Sequence, residues 1–184
     1  ELLVDLTLPQ GSSINATRKV VDDLEKILKS DPDIEHWSFY IGSGAIRFYL
    51  PLDQQLANDF FAQGVIVTKG FKVRPAVHER ILAALQRPEF EQVQPRVSAL
   101  ELGPPVGWPL KFRISGPDPM KVREIAQNFA SLLGKNPNAR SINFDWNEPS
   151  KVVRVDVDQD KARLLGISSK SLNEALNATV SGTA

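Results

Sequence analysis

Asp31-Pro32-Asp33-Ile34-Glu35-His36-Trp37-Ser38-Phe39 returns later in the chain as Asn136-Pro137-Asn138-Ala139-Arg140-Ser141-Ile142-Asn143-Phe144. Pro137 lies 105 positions after Pro32, and Phe144 after Phe39. At the same offset Ile27-Leu28 fall on Leu132-Leu133. A strand, a turn and an amphipathic helix precede each copy, over Leu6 to Phe39 and Lys111 to Phe144. A repeated β-α-β unit restricts the fold to two related α/β modules. The second copy stops partway.

Working outward, Leu2 to Leu8 reads as a strand stopped by Pro9, and Ser12 or Ser13 caps the next helix. Ile14, Val20, Val21, Leu24, Ile27 and Leu28 share one face of that helix. Ile34 to Ile41 is the returning strand, broken by Gly42-Ser43-Gly44. An aromatic segment, Ile46 to Leu50, precedes a polar loop over residues 52–59. Phe60 to Lys69 reads as a strand and Pro75 to about Arg87 as a helix. Glu91 to Leu102 reads as a strand kinked at Pro95, which completes β-α-β-β-α-β. Gly103-Pro104-Pro105-Val106-Gly107 is the linker. The second module opens with the strand Leu110 to Ser115. Asp118 caps the next helix and Pro119 takes its first position. Its stripe is Val122, Ile125, Ala126, Phe129, Leu132 and Leu133, and Gly134 stops it. Strands follow at Ser141 to Trp146 and around Val153, Val155 and Val157. Asp158 starts a short helix ended by Gly166. Ser168 or Ser169 starts another, with Leu172, Leu176 and Val180 inward. The expected fold class is α+β, with two ferredoxin-like (β-α-β-β-α-β) modules side by side, residues 1–103 and 104–184, the second truncated. Helices should lie on one face of each sheet.

Lys+Arg and Asp+Glu both number 22, so the net charge is zero. That excludes a strongly basic nucleic-acid binder and a polybasic membrane-surface module. A hydrophobic content of 42% fits a folded chain. With no cysteine there is no disulfide or thiolate chemistry. No apolar run reaches membrane-spanning length and there is no signal peptide. The chain opens into a strand, as a domain cut from a longer protein would. Catalysis finds little support. His36 and His78 lack triad or metal spacing and fit solvated faces. Gly42-Ser43-Gly44 lacks what a phosphate loop needs. Asp156, Asp158 and Asp160 lack the Gly and Glu of a calcium loop. Met120, the one methionine, makes no soft-metal path. Neither cofactor nor metal is expected.

Three features remain as candidates. Gly42-Ser43-Gly44 with Phe48 and Tyr49 is either a plain hairpin or a mobile loop with glycine hinges. Gln92, Gln94 and Arg96 near Glu101 are an exposed strand face or a polar cleft wall. Trp37, Trp108 and Trp146 fit packing, Trp108 above all.

Leu6-Thr7-Leu8-Pro9-Gln10-Gly11, Glu101-Leu102-Gly103-Pro104-Pro105, Arg113 to Asp118 and, most specifically, Val155-Asp156-Val157-Asp158-Gln159-Asp160-Lys161-Ala162-Arg163-Leu164-Leu165-Gly166-Ile167 resemble resistance–nodulation–division (RND) efflux transporters. The nearest branch is the AcrB-like hydrophobe/amphiphile exporters. The resemblance covers essentially the whole chain and matches the periplasmic loop between membrane helices seven and eight. It makes 1–103 the first C-terminal-half porter subdomain and 104–184 most of the second, ending where the docking insertion begins. It implies proton-driven export of amphiphilic small molecules by a trimer of a bacterial inner-membrane protein. A periplasmic adaptor and an outer-membrane channel would be partners, and the proton relay would lie outside this chain. It places Gly42-Ser43-Gly44-Ala45 at the switch loop, Gln92, Gln94 and Arg96 on pocket-lining strand positions, and Glu101 at the acid of the inter-module cleft. Asn143 and Asp145 fall on the facing wall. Ser43 and Ala45 stand where drug pumps carry phenylalanines, and Gln92 and Gln94 where they carry aromatic residues. Either Phe48 and Tyr49 replace that area or the substrate is more polar. A paired ferredoxin-like regulatory module of a soluble protein, and a purely structural assembly domain, are the rival readings. Membrane spans flanking the chain in its parent gene would separate them.

Overall fold

The computed structural model describes residues 1–100, 103, 107–146 and 152–182. It falls into two compact units, Glu1–Ser150 and Lys151–Ala184. In chain order the first unit holds β1 (Leu2–Thr7), α1 (Ile14–Leu28), β2 (Ile34–Ile41), β3 (Phe61–Thr68), α2 (Arg74–Ala84), a 3-10 turn (Pro88–Phe90), β4 (Gln94–Ala99) and α3 (Pro119–Leu133). The second holds α4 (Gln159–Leu164) and α5 (Ser169–Ser181). The sheet order is β2-β3-β1-β4 with every pair antiparallel. The protein is therefore mixed α+β, and the first β-α-β-β-α-β module forms as the pattern predicts.

Strand alternation decides which side chains are buried. Leu2, Val4 and Leu6 of β1 point to the helix-covered face and are fully buried. They meet Val21, Leu24 and Leu28 of α1 and Val77 and Ile81 of α2 in one cluster. Trp37, Phe39 and Ile41 of β2 and Val97 of β4 close its edges. Leu3, Ala45 and Leu52 form a smaller cluster with Tyr40, Tyr49 and Val65. Leu3 and Val65 are cross-strand partners, so this cluster marks the other face of the sheet. The loop after β2 covers that face, and residues 52–59 do more than connect. β4 pairs only with β1, and an edge strand tolerates the missing N–H of Pro95.

The internal repeat is real in its local geometry. Helix α1 runs from Ile14 to Leu28 and α3 from Pro119 to Leu133, the same fifteen-residue span displaced by the same offset. Ser13 caps α1 through the Ala16 N–H, and Asp118 caps α3 through the N–H groups of Met120 and Lys121. After each helix the turn repeats bond for bond. Asp31 Oδ1 accepts from the Asp33 N–H at 3.0 Å, and Asn136 Oδ1 from the Asn138 N–H at 3.0 Å. The Ile34 N–H donates to the Asp31 carbonyl, and the Ala139 N–H to the Asn136 carbonyl.

Beyond helix and turn the copies diverge. The strands expected at Leu110 to Ser115, Ser141 to Trp146 and Val153 to Val157 join no ladder among the described residues. Val153 is 92% exposed, and α3 buries none of its side chains. Phe112 meets Phe129 edge to face at 5.1 Å, the only ring pair near this helix among the described residues. Alternation records which face a partner would cover, but a strand exists only when another strand supplies its hydrogen bonds. Arg96 of β4 reaches the segment that follows the sheet: its Nη2 donates to the Gly107 carbonyl at 2.8 Å. His78 also departs from expectation. It is half-buried, and its Nε2 lies 3.2 Å from the Val97 carbonyl, joining α2 to β4.

The repeated turns differ in charge. Arg80 of α2 forks onto Asp31 at 2.7 and 2.8 Å and reaches Asp33 at 2.8 Å. The second copy has uncharged Asn136 and Asn138 there. The Arg80 hydrogen bond holds the Asp31 carboxyl below its usual range. A lowered folded-state value means this stabilisation is complete above the unfolded value of 3.8 and disappears as pH falls through the folded one. Urea titrations from pH 6 to pH 2 should show Arg80→Met less stable than the parent above about pH 4, with the gap closing on acidification. A gap independent of pH would contradict the assignment. The repeat also gives a matched pair of core tests. Leu28→Ala removes a fully buried side chain and should cost about 3 kcal/mol. Its counterpart Leu133→Ala, half-buried on α3, should cost less than about 1 kcal/mol by the same chemical denaturation.

Candidate functional site

The loop between β2 and β3 is closed at its base and tied to the sheet. The Gly42 N–H donates to the Phe61 carbonyl at 2.8 Å, and the Asn58 N–H to the Gly42 carbonyl at 2.9 Å. Thr17 of α1, buried, donates its hydroxyl to the Asp59 carbonyl at 2.6 Å. With its ends this close, the segment is a compact surface loop rather than a plain hairpin. Gly42 has φ +78°, which a side chain would strain. At Gly44 a Cβ would lie 2.9 Å from Gln55 Cβ, so the outgoing and returning arms touch only because that Cβ is missing.

Ala45 and Leu52 press the loop onto Leu3. The rest of it points outward. Ile46, Leu50 and Leu56 are exposed and Phe48 is 46% exposed. The Phe48 and Tyr49 ring centroids lie 5.3 Å apart, which makes a tilted aromatic pair. So many large apolar side chains on one anchored loop form the kind of patch that contacts an apolar ligand or surface.

Beneath the loop a polar row crosses the sheet. Tyr40, Gln63, Asp5 and Arg96 are direct cross-strand neighbours on β2, β3, β1 and β4. The buried Gln63 carboxamide accepts from the Ala45 N–H at 2.8 Å and donates to Asp5 Oδ1 at 2.8 Å. Burial pushes the Asp5 carboxyl above its usual value. The Gln63 bond and the Arg96 charge pull it back, and Asp53 adds to the rise. Arg96 donates to the Gly107 carbonyl, and its guanidinium lies 5.3 Å from the Trp108 ring centroid. Trp108 therefore serves as a cation–π partner and belongs to neither apolar cluster.

The expected site residues distribute unevenly around this frame. Tyr49 and Arg96 line a hollow of about 40 Å³ with Asp5, Asp53, Gln63 and Ser98. It has room for water but not for a drug-sized molecule. Gly42, Ser43 and Gly44 start the covering loop, and Phe48 sits on its outer side. Gln92 lies in the turn before β4 rather than on a strand, and Gln94 is the exposed first residue of β4, opposite Thr7. Asn143 bonds the Ser141 carbonyl within its own segment and Asp145 is exposed; neither lines the hollow. Glu101 lies outside the described residues. Sequence reasoning missed Asp5 and Gln63. Their signal was present: each is a lone polar residue inside an apolar strand, Leu2-Leu3-Val4-Asp5-Leu6 and Phe61-Ala62-Gln63-Gly64-Val65.

In the second unit Asp158 caps α4 and Ser168 caps α5. Val157, Ala162, Ile167, Leu172 and Leu176 line an open concavity of about 230 Å³ there. Among the described residues no three histidine or acidic side chains gather to hold a metal, and no helix is long and apolar enough to cross a membrane.

Among the solved structures that share this fold are two described as the X-ray crystal structure of a heavy metal efflux pump, in crystal forms II and I. They match with TM-scores of 0.66 and 0.64 at 17% and 16% identity, over 96% and 97% of this chain. The chain spans 18% and 19% of theirs, about a fifth of their length. No curated protein matches it. The model of the AcrB/AcrD/AcrF family matches residues 1–184, its whole length. The transporter resemblance read from the motifs thus holds at the family level: the chain belongs to the AcrB/AcrD/AcrF family.

Proposed function

We propose that this chain is a periplasmic porter portion of a proton-driven RND transporter that exports amphiphilic organic compounds. Its place would be the loop between membrane helices seven and eight of a bacterial inner-membrane protein. The two porter subdomains would be residues 1–103 and 104–184, both ferredoxin-like, the second truncated. The parent would act as a trimer with a periplasmic adaptor and an outer-membrane channel. Family membership supports the transporter class, and it gives no support to the rival regulatory module of a soluble protein.

The observation that carries the substrate class is the loop at Gly42. It is anchored by Ala45 and Leu52 yet presents Ile46, Phe48, Leu50 and Leu56 to solvent. A charged and polar row lies directly beneath it. Flat apolar area beside an arginine and a carboxylate suits a ligand that is both greasy and polar. Glu101, Asn143 and Asp145 would complete the substrate path between the subdomains, with Gln92 and Gln94 at its polar margin. The two similar structures are of a heavy metal efflux pump, but at 17% and 16% identity they speak for fold. The donor inventory here favours an organic cargo: no cysteine, one methionine and two histidines.

Export by the full-length transporter in a pump-deficient strain tests this reading. Gly44→Val drives the loop arms apart at Gln55, and the Phe48→Ala/Tyr49→Ala pair removes the flat area. Both should raise intracellular accumulation of amphiphilic dyes several-fold at unchanged protein abundance, because a lost aromatic contact is worth about 1 kcal/mol. Glu101→Ala should alter preference among cationic, neutral and anionic dyes rather than stop export. Tolerance to zinc and copper should not depend on any of these residues. Metal tolerance lost with dye accumulation untouched would reverse the substrate class.

A further inference from the structure

Gln63 and Asp5 belong to neither apolar cluster, so packing does not account for them. A carboxamide and a carboxylate in the middle of a sheet are costly to bury unless their bonds are satisfied. Here those bonds run in one direction. The Ala45 N–H donates to Gln63 Oε1, and Gln63 Nε2 donates to Asp5 Oδ1. Asp5 stands opposite Arg96 in the β1–β4 register, and Arg96 donates to the Gly107 carbonyl beside the Trp108 ring. The row thus starts at the loop after β2 and ends at the segment leading from β4 toward α3. The two ends lie on opposite sides of β1, and adjacent strands are about 4.8 Å apart.

The chemistry makes the row directional and strict. A carboxamide has one acceptor and one donor end, so Gln63 can serve Ala45 and Asp5 together only in one flip state. If the loop lifts, the Gln63 oxygen loses the Ala45 N–H and the carboxamide is no longer held from that side. A carboxamide released at one end holds Asp5 less firmly at the other, and the Asp5 carboxylate then depends more on the charge of Arg96 across the β1–β4 pair. Arg96 is held at its other side by the Gly107 carbonyl and lies beside the Trp108 ring, so a change in its attraction to Asp5 is felt there. A buried polar network is strong only while every member is satisfied, so loss of one bond weakens the others.

We infer that Gln63, Asp5 and Arg96 are positioning residues that couple the conformation of the 42–59 loop to that of the Gly107–Trp108 segment. Neither Gln63 nor Asp5 touches the exposed apolar side chains of the loop, so both act through Ala45. The coupling itself stands on geometry alone. Its use in export rests on the function proposed above.

Hydrogen exchange read by mass spectrometry on the full-length transporter in lipid nanodiscs tests the coupling without any transport measurement. Gln63→Leu should speed exchange of the 42–50 peptide by about tenfold or more, the loss of one buried hydrogen bond. It should also speed exchange at residues 107–110 severalfold, although it touches neither Gly107 nor Trp108. Arg96→Gln should do the converse and loosen the loop from the far side of β1. Asp5→Leu should loosen both ends, and Asp5→Asn, which keeps an oxygen for Gln63 Nε2, should restore loop protection. Protection of β1 and β3 should stay as in the parent in every variant. The inference is overturned if Arg96→Gln leaves residues 42–50 unchanged, if Asp5→Asn behaves like Asp5→Leu, or if β1 and β3 lose protection in step with the loop. Coupling observed with export unaltered would leave this inference standing and remove the loop from the transport path.

Discussion

The central strand β1 can bury only alternate residues on one face, and the rest of the first unit follows from that. Once Leu2, Val4 and Leu6 pack under α1 and α2, Leu3, Asp5 and Thr7 must face the other way. A one-residue slip would put Asp5 into the apolar cluster and expose three large side chains. Register is therefore strongly specified. With Asp5 held at mid-sheet, something must satisfy it, and Gln63 of β3 and Arg96 of β4 stand at its two flanks. The loop after β2 then closes over the row, and its Ala45 N–H completes the satisfaction of Gln63. Packing on one face has dictated a polar arrangement on the other.

The repeat shows how far local chemistry reaches. An oxygen-bearing cap residue, fifteen helical positions and an Asx-Pro-Asx turn recur with the same hydrogen bonds, since each bond joins residues within four positions. What the copies do not share is distant in sequence. The first turn holds carboxylates because Arg80, from α2, pairs with them. The stripe of α1 is buried because β1 and β3 lie beneath it, whereas the same stripe on α3 has no described ladder beneath it. A similar local pattern therefore yields helices of equal span and unequal burial.

The loop joins these constraints to function. Its base is fixed by backbone bonds at Gly42 and Asn58, and by Thr17 reaching Asp59. Its body is held by one backbone N–H, by Ala45 and Leu52 and by the partly buried Tyr49, which is little for a segment of this length. Such a segment can take another path at modest cost while the sheet below stays intact. In the function proposed above that freedom would have a use, because a transporter must offer its substrate different surfaces at different stages.

Residue order alone determined the repeat, the strand and helix positions of the first module, the caps at Asp118 and Asp158, a serine cap at 12 or 13 and at 168 or 169, and the family. These are set by period, by short-range hydrogen bonds and by motif, all of which are written within a few positions. It also marked Gly42-Ser43-Gly44 and Arg96 as residues of interest. Only the tertiary structure decided that Asp5 and Gln63 are partners, being 58 positions apart. It alone made Ala45 and Leu52 anchors, His78 a bridge to β4 and Trp108 a platform for Arg96. It also left the second copy's alternating segments without a ladder. The physical reason is common to all of these. Alternation and helical period say which side of an element a residue occupies, but which element faces that side is decided by chain closure over tens of residues, and no local pattern encodes it.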